Sequence, residues 1–132
     1  MKLYERCLKI ASANLHKHPL YEESNYLHWS FLLVKNRLIE WGTNRNGIVP
    51  IHFGHSDRIE GNEPRVHSEL DCWNRTKGLI KDSPFQLINI RLNKRGQLRM
   101  AMPCVCCFNF LKSLNCSKVI FSTETGFYGQ VL

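Results

Sequence analysis

Apolar side chains recur at helical spacing over Leu3, Cys7, Leu8, Ile10, Ala11 and Leu15, which predicts an amphipathic helix from Leu3 to His16. His18 to Ser24 contains Pro19 and reads as a loop. Tyr26 to Val34 is rich in aromatic and branched residues and reads as a strand. Asn36 suits a turn and Arg37 to Trp41 a returning strand, so the pair predicts a hairpin. From Gly42 to Val66 the periodicity gives way to glycine, proline and mixed charge, the signature of a long loop.

The helical pattern returns over His67 to Ile80, with Leu70, Trp73 and Leu79 or Ile80 facing inward. Phe85 to Leu92 is nearly all apolar and reads as a buried strand. Asn93 to Gly96 is a turn, and Leu98 to Met102 continues extended. Pro103 suits the first turn of a helix, where its missing N–H costs nothing. That helix runs to about Leu114 and buries Phe108 and Leu111. Lys118 to Phe121 is a short strand, Thr125-Gly126 a turn, and Phe127 to Leu132 a last strand that pairs back. Helix, hairpin, helix, strand, helix, strand, strand predicts an α/β sandwich around a central mixed sheet. No repeat or low-complexity tract divides the chain, so residues 1–132 form one domain.

Composition narrows the class. A hydrophobic fraction of 43% is that of a folded globular chain. A net charge of +7 favours anionic partners, whether nucleic acid, nucleotides or an acidic surface. No apolar stretch could span a bilayer, and the N-terminal residues lack the apolar run of a secretory signal. An intracellular protein without a membrane role is therefore expected. The six cysteines then read as thiols or metal ligands rather than disulfides. Cys7, Cys72 and Cys116 are scattered and read as small buried apolar residues, whereas Cys104, Cys106 and Cys107 are crowded.

The chemistry concentrates at the heads of two predicted helices, in His67-Ser68-Glu69 and Pro103-Cys104-Val105-Cys106-Cys107. Catalytic zinc takes three nitrogen or sulfur ligands and leaves a fourth place for water. Cys104 and Cys107 lie three apart, so a helical turn puts both sulfurs on one side. A thiolate at a helix N-terminus is stabilised by the free N–H groups and the dipole. His67 completes the ligand set. A lone C-x-x-C also serves structural zinc or redox exchange. A structural site, however, wants a fourth Cys or His, and Cys106 on a helix points away from Cys107. A redox pair leaves His67-Ser68-Glu69 without a role.

The pattern H-x-E…P-C-x-x-C resembles the signature of the zinc-dependent cytidine deaminase superfamily, and the likeness extends from the first helix to Leu132. A weaker element is Leu33 to Asn44, which is similar to the first hairpin of nucleotide and tRNA deaminases and ends in Gly42-Thr43-Asn44. The resemblance implies a cytidine deaminase-like α/β/α sandwich with a five-stranded mixed sheet and a Zn2+ cofactor held by His67, Cys104 and Cys107. It also implies hydrolytic loss of ammonia from a nucleobase, with Glu69 as the residue that moves protons. Asn44 is then a contact to the sugar or base, and equally well a turn residue ending a strand. Ser68 stands where many relatives have Ala. His as first ligand resembles deoxycytidylate, tRNA adenosine and AID/APOBEC-like polynucleotide deaminases, while the Thr125-Gly126 turn implies an antiparallel last strand unlike theirs. Compact deaminases of phage and bacterial toxin systems resemble this mixture of markers.

The expected substrate is cytosine in single-stranded DNA or RNA. Arg91, Lys94, Arg95 and Arg99 would meet phosphates, and Tyr128 or Phe127 would offer a stacking surface. Ser68 and Pro103 join Asn44, Arg99 and Tyr128 as candidate substrate contacts. Free cytosine nucleosides or nucleotides are the alternative, with Tyr21, Tyr26 and His28 able to line a smaller pocket. Adenine uses the same machinery, and a catalytically silent zinc domain would have no need of Glu69. His52, His55, Asp57 and Glu60 in the long loop read as polar loop residues, in a segment better suited to covering a substrate than to a second metal.

Overall fold

A computed structural model describes residues 1–47 and 65–132. The helices are α1 (Leu3–Ala13), α2 (Ser68–Ile80) and α3 (Val105–Ser113). The strands are β1 (Leu27–Val34), β2 (Arg37–Thr43), β3 (Arg45–Asn46), β4 (Arg65–Val66), β5 (Phe85–Leu92), β6 (Leu98–Arg99), β7 (Cys116–Thr123) and β8 (Gly126–Val131). The main sheet runs β2-β1-β5-β7-β8, with β6 paired to β5, so the expected five strands gain a short sixth. β5 and β7 are parallel and the other pairs antiparallel, including the last strand. The chain thus has the expected mixed sheet.

Alternation along the strands assigns the two faces. Trp29, Phe31 and Leu33 of β1 and Ile88, Ile90 and Leu92 of β5 share one cluster with Cys7, Ala11 and Leu15 from the N-terminal helical segment. Leu32, Leu87, Val119 and Phe121 face the other way and pack with Cys72 and Ile80 of α2 and Leu111 of α3. Successive side chains of a strand point to opposite faces, so His28, Ser30, Asn89 and Arg91 belong to the α2/α3 face.

Several boundaries differ from the sequence reading. α1 stops at Ala13, and a short 3₁₀ turn, Leu15–Lys17, follows. The stretch from Gly42 to Val66 is not all loop. β2 continues to Thr43, and β3 pairs with β4, because the backbone donors of these residues find partners on α2 and on each other. His52, His55, Asp57 and Glu60 lie outside the described residues. Pro103 does not open the helix. It is buried just before Cys104, which takes the N-cap position, so the first helical residue is Val105. Leu79 is exposed while Ile80 is buried, and Trp73 is half-buried against Phe85 at 5.6 Å. The β1–β2 hairpin turns through Lys35 and Asn36, both with positive φ (51° and 62°), as a two-residue turn matched to the strand twist requires.

Gly42 explains how α2 comes to lie so close to β2. A Cβ placed there would stand 2.3 Å from the backbone nitrogen of Cys72. Asp71, one residue earlier, is buried and ties the same junction. Its carboxylate accepts from the Thr43 N–H at 2.9 Å and pairs with Arg45 at 2.8 Å and Arg75 at 3.1 Å. We expect Gly42→Ala to force the helix off the strand and lower stability by about 1–3 kcal/mol or more. Urea denaturation checks this, and an unchanged midpoint would show that the junction is slack.

Candidate metal centre

Both functional segments sit at helix starts because an extended residue must precede the first turn. His67 is the N-cap of α2 (φ −69°, ψ 151°) and Cys104 the N-cap of α3 (φ −68°, ψ 167°). The apolar contact of Val66 and Leu70 with Cys107 brings the two helix starts together. His67 Nδ1 lies 3.2 Å from Cys107 Sγ and 3.8 Å from Cys104 Sγ. One ligand atom from each of the three residues falls within 4.8 Å of the others. A tetrahedral zinc with ordinary bond lengths would put nitrogen about 3.6 Å and sulfur about 3.8 Å from a second sulfur. The two nitrogen–sulfur distances lie within a few tenths of an ångström of that geometry, so the site needs little adjustment to take zinc. Cys106 is not among the three converging donors.

The Cys104 thiol is held down to about 3, first by hydrogen bonding with the Cys107 side chain, with burial opposing and contact with His67 assisting. Its sulfur also accepts from the Cys107 N–H at 3.4 Å. It is a thiolate ready to ligate. Burial pushes Cys7 up to about 12 and Cys116 up to about 11, and raises Cys72 as well, so these three are inert.

Glu69 projects from the first turn of α2 into a buried ring of polar groups. Asn89 Nδ2 donates to Glu69 Oε2 at 3.1 Å, and Ser68 Oγ lies 3.2 Å from Oε1. Ser30 Oγ donates to Asn89 Oδ1 at 2.7 Å and meets Ser68 Oγ at 2.7 Å, which closes the ring. Each serine has a single hydrogen to give. Ser30 spends its own on Asn89, and Ser68 cannot serve both Ser30 and Glu69. With Ser68 donating to Glu69 Oε1 and Ser30 to Asn89, the close Ser30–Ser68 contact has no hydrogen of its own. Burial raises the Glu69 carboxyl above the usual carboxylate range, with the nearby His67 opposing. A divalent cation alongside would act the other way.

The other candidate contacts fall into place as follows. Asn44 is buried with both ends of its amide occupied, Oδ1 accepting from the His28 N–H at 2.9 Å and Nδ2 donating to the Tyr26 carbonyl at 2.8 Å. It braces β1, and a substrate would have to displace one of these bonds. Ser68 is buried and touches Glu69. Arg99 is half-buried on β6, and Tyr128 is exposed on the edge strand β8. Phe127 faces the opposite side of the sheet, stacked on Tyr4 at 4.6 Å, and is withdrawn as a stacking surface because α1 covers it. Ser30 and Asn89 were missed by the sequence reading. Their signal was there, as polar residues interrupting the apolar runs of β1 and β5.

No family model matches the sequence, and no curated protein matches it either. Among solved structures the chain is similar to a cytidine deaminase from Mycobacterium leprae, with a TM-score of 0.56 and 16% identity over 92% of this chain and 88% of that one. The chain has the cytidine deaminase fold. Within that fold His67, Cys104 and Cys107 converge as a group that could hold a metal ion, and their imidazole and two thiols are a donor set that suits zinc. Among the described residues no helix is long and apolar enough to cross a membrane.

Proposed function

We propose that this protein is a zinc-dependent hydrolytic deaminase converting cytosine to uracil, with single-stranded polynucleotide as its substrate. The observation that carries the reading is the Glu69 carboxyl, locked by Asn89 and Ser68 beside three converging donors. Zinc there would supply a water acidified to a pKa of about 7. Glu69 takes the proton of the attacking water and returns protons to the ring nitrogen and the departing amine. Ser30, Ser68 and Asn89 keep its oxygens from turning away between the two transfers. A domain that only binds has no use for such a buried acid, which costs free energy to hold.

The polynucleotide part of the reading is supported by the charge of +7 and by the basic turn after β5. Lys94 lies 5.7 Å over the ring of Tyr21, beside Arg95. Sequence-independent attraction to phosphates requires such groups. A second reading, deamination of a free cytosine nucleoside or nucleotide, is favoured by the likeness to a cytidine deaminase.

The deciding experiment follows products by mass spectrometry from cytosine- and adenine-bearing nucleosides, nucleotides, single strands and duplexes, each at low and high salt. Cytosine in single strands is expected to react fastest, with steep loss at high salt. Efficient turnover of a free nucleoside or nucleotide with little on the strand would establish the second reading instead. Conversion of adenine alone would move the specificity to the other base.

A further inference from the structure

The row of side chains beside the one that anchors Glu69 has no part in the chemistry above. Two residues further along the same face, His28 on β1 stands opposite Arg91 on β5, and Arg91 stands opposite Arg99 on β6. Two strand residues advance about 7 Å, so this basic row lies about 7 Å from the Ser30–Asn89 pair. The distance is comparable with the span from a cytosine ring to the phosphate on its own sugar.

Like charges directly opposite on neighbouring strands repel. Arg91 and Arg99 face each other nonetheless, and among the described residues no carboxylate forms an ion pair with either. Among the described residues Arg45 and Arg75 pair with Asp71, away from this row, while Arg91 has the Tyr26 side chain as a partner and feels Glu124 from a distance. The Arg91 guanidinium lies over the exposed Tyr26 ring, its Cζ 4.0 Å from the centroid, so the ring gives the fork a platform. Its Nε is shut away from solvent with no acceptor. Folds seldom leave such a donor without a reason. Arg99 gives one bond from Nη1 to the Leu98 carbonyl at 2.9 Å and one from Nη2 to Gln97 at 3.3 Å, which leaves further donors.

We infer that Arg91 and Arg99, with Tyr26 as the platform under Arg91, form a seat for one phosphate group of the substrate. A phosphate between the two forks relieves their repulsion and accepts several charge-assisted hydrogen bonds at once. The seat takes the same chemistry from a free nucleoside monophosphate or from a strand. It rests on the proposed deamination for its place beside the reacting base.

The test uses the zinc-loaded full chain as wild type, Arg91→Gln and Arg99→Gln, each checked by thermal melting. It measures kcat/KM on cytidine, cytidine monophosphate and a single strand with one cytosine. Each variant is expected to lose about 10–100-fold on phosphate-bearing substrates, mostly through KM, while cytidine is unaffected. Loss on the monophosphate as well as the strand assigns the seat to the nucleotide's own phosphate, and loss on the strand alone assigns it to the chain of phosphates. Equal loss on cytidine, or no loss on either phosphate-bearing substrate, overturns the inference. Should Arg91→Gln not fold, Arg91→Lys keeps the charge without the fork and is expected to show a smaller loss of the same selectivity. If no cytosine substrate reacts at all, the proposed function has failed, and calorimetric titration with inorganic phosphate decides the seat separately. Binding to wild type that is lost in Arg99→Gln supports it, and equal binding or none overturns it.

Discussion

Glu69→Gln is expected to fold, to keep its zinc and to lose deamination by about 10²–10⁴-fold, the worth of positioned proton transfer. The amide fits the ring that holds the acid. Its carbonyl can accept from Asn89 Nδ2 as Oε2 does, and its NH2 can donate to Ser68 Oγ where Oε1 now accepts. Removing a buried carboxyl also removes the cost of ionising it there, so the melting temperature is expected to hold or rise. What the amide lacks is an oxygen that can take and return a proton. Rates on the best cytosine substrate, read together with metal content, check this. An unchanged rate would show that Glu69 moves no proton. Loss of zinc along with the rate would make Glu69 a ligand.

Removing zinc is expected to have the second large effect, on stability and on cysteine chemistry together. His67, Cys104 and Cys107 join α2 to α3, which otherwise meet here through the small cluster of Val66, Leu70 and Cys107. A ligand bound at 1,000 times its dissociation constant stabilises by about 4 kcal/mol, which for a domain of this size is on the order of 10 °C in Tm. Elemental analysis is expected to give about one zinc per chain. Chelation should then lower Tm and expose Cys104, the half-buried thiolate, to alkylation well before the buried Cys7, Cys72 and Cys116. Peptide mapping of the alkylated protein with and without zinc reads this directly. A metal-free protein that is folded and active, or Cys104 labelled equally fast with zinc present, would end the zinc assignment.

Much of this was legible from local pattern. Periodicity of 3.6 and of 2 placed all three helices and the five longer strands, because each buries one face against the same sheet. The three metal donors were legible too, since Cys104 and Cys107 are neighbours on one helical turn and His67 stands in a short, recognisable motif. Helix ends slipped by a residue or more, as at Pro103, because the cap is fixed by which backbone groups find partners and not by the residue's preference alone.

What lies between distant segments came only with the tertiary structure. Ser30, Ser68, Glu69 and Asn89 form one ring across β1, α2 and β5, yet Ser30 and Asn89 lie 59 positions apart. Arg91 and Arg99 were expected as members of a basic cluster, but their direct opposition, the Tyr26 platform and the buried Nε follow from strand register. Phe127, packed on Tyr4, and Asn44, with both ends of its amide engaged by β1 and the residue before it, show contacts that residue type alone did not reveal. Sequence by itself determined the elements and the three candidate donors that the fold brings together, because helix and strand periodicity and short motifs act over a few residues. Only the folded sheet decided how the acid is held and which charges stand unpaired, because hydrogen bonds and Coulomb forces depend on distances that register and packing set.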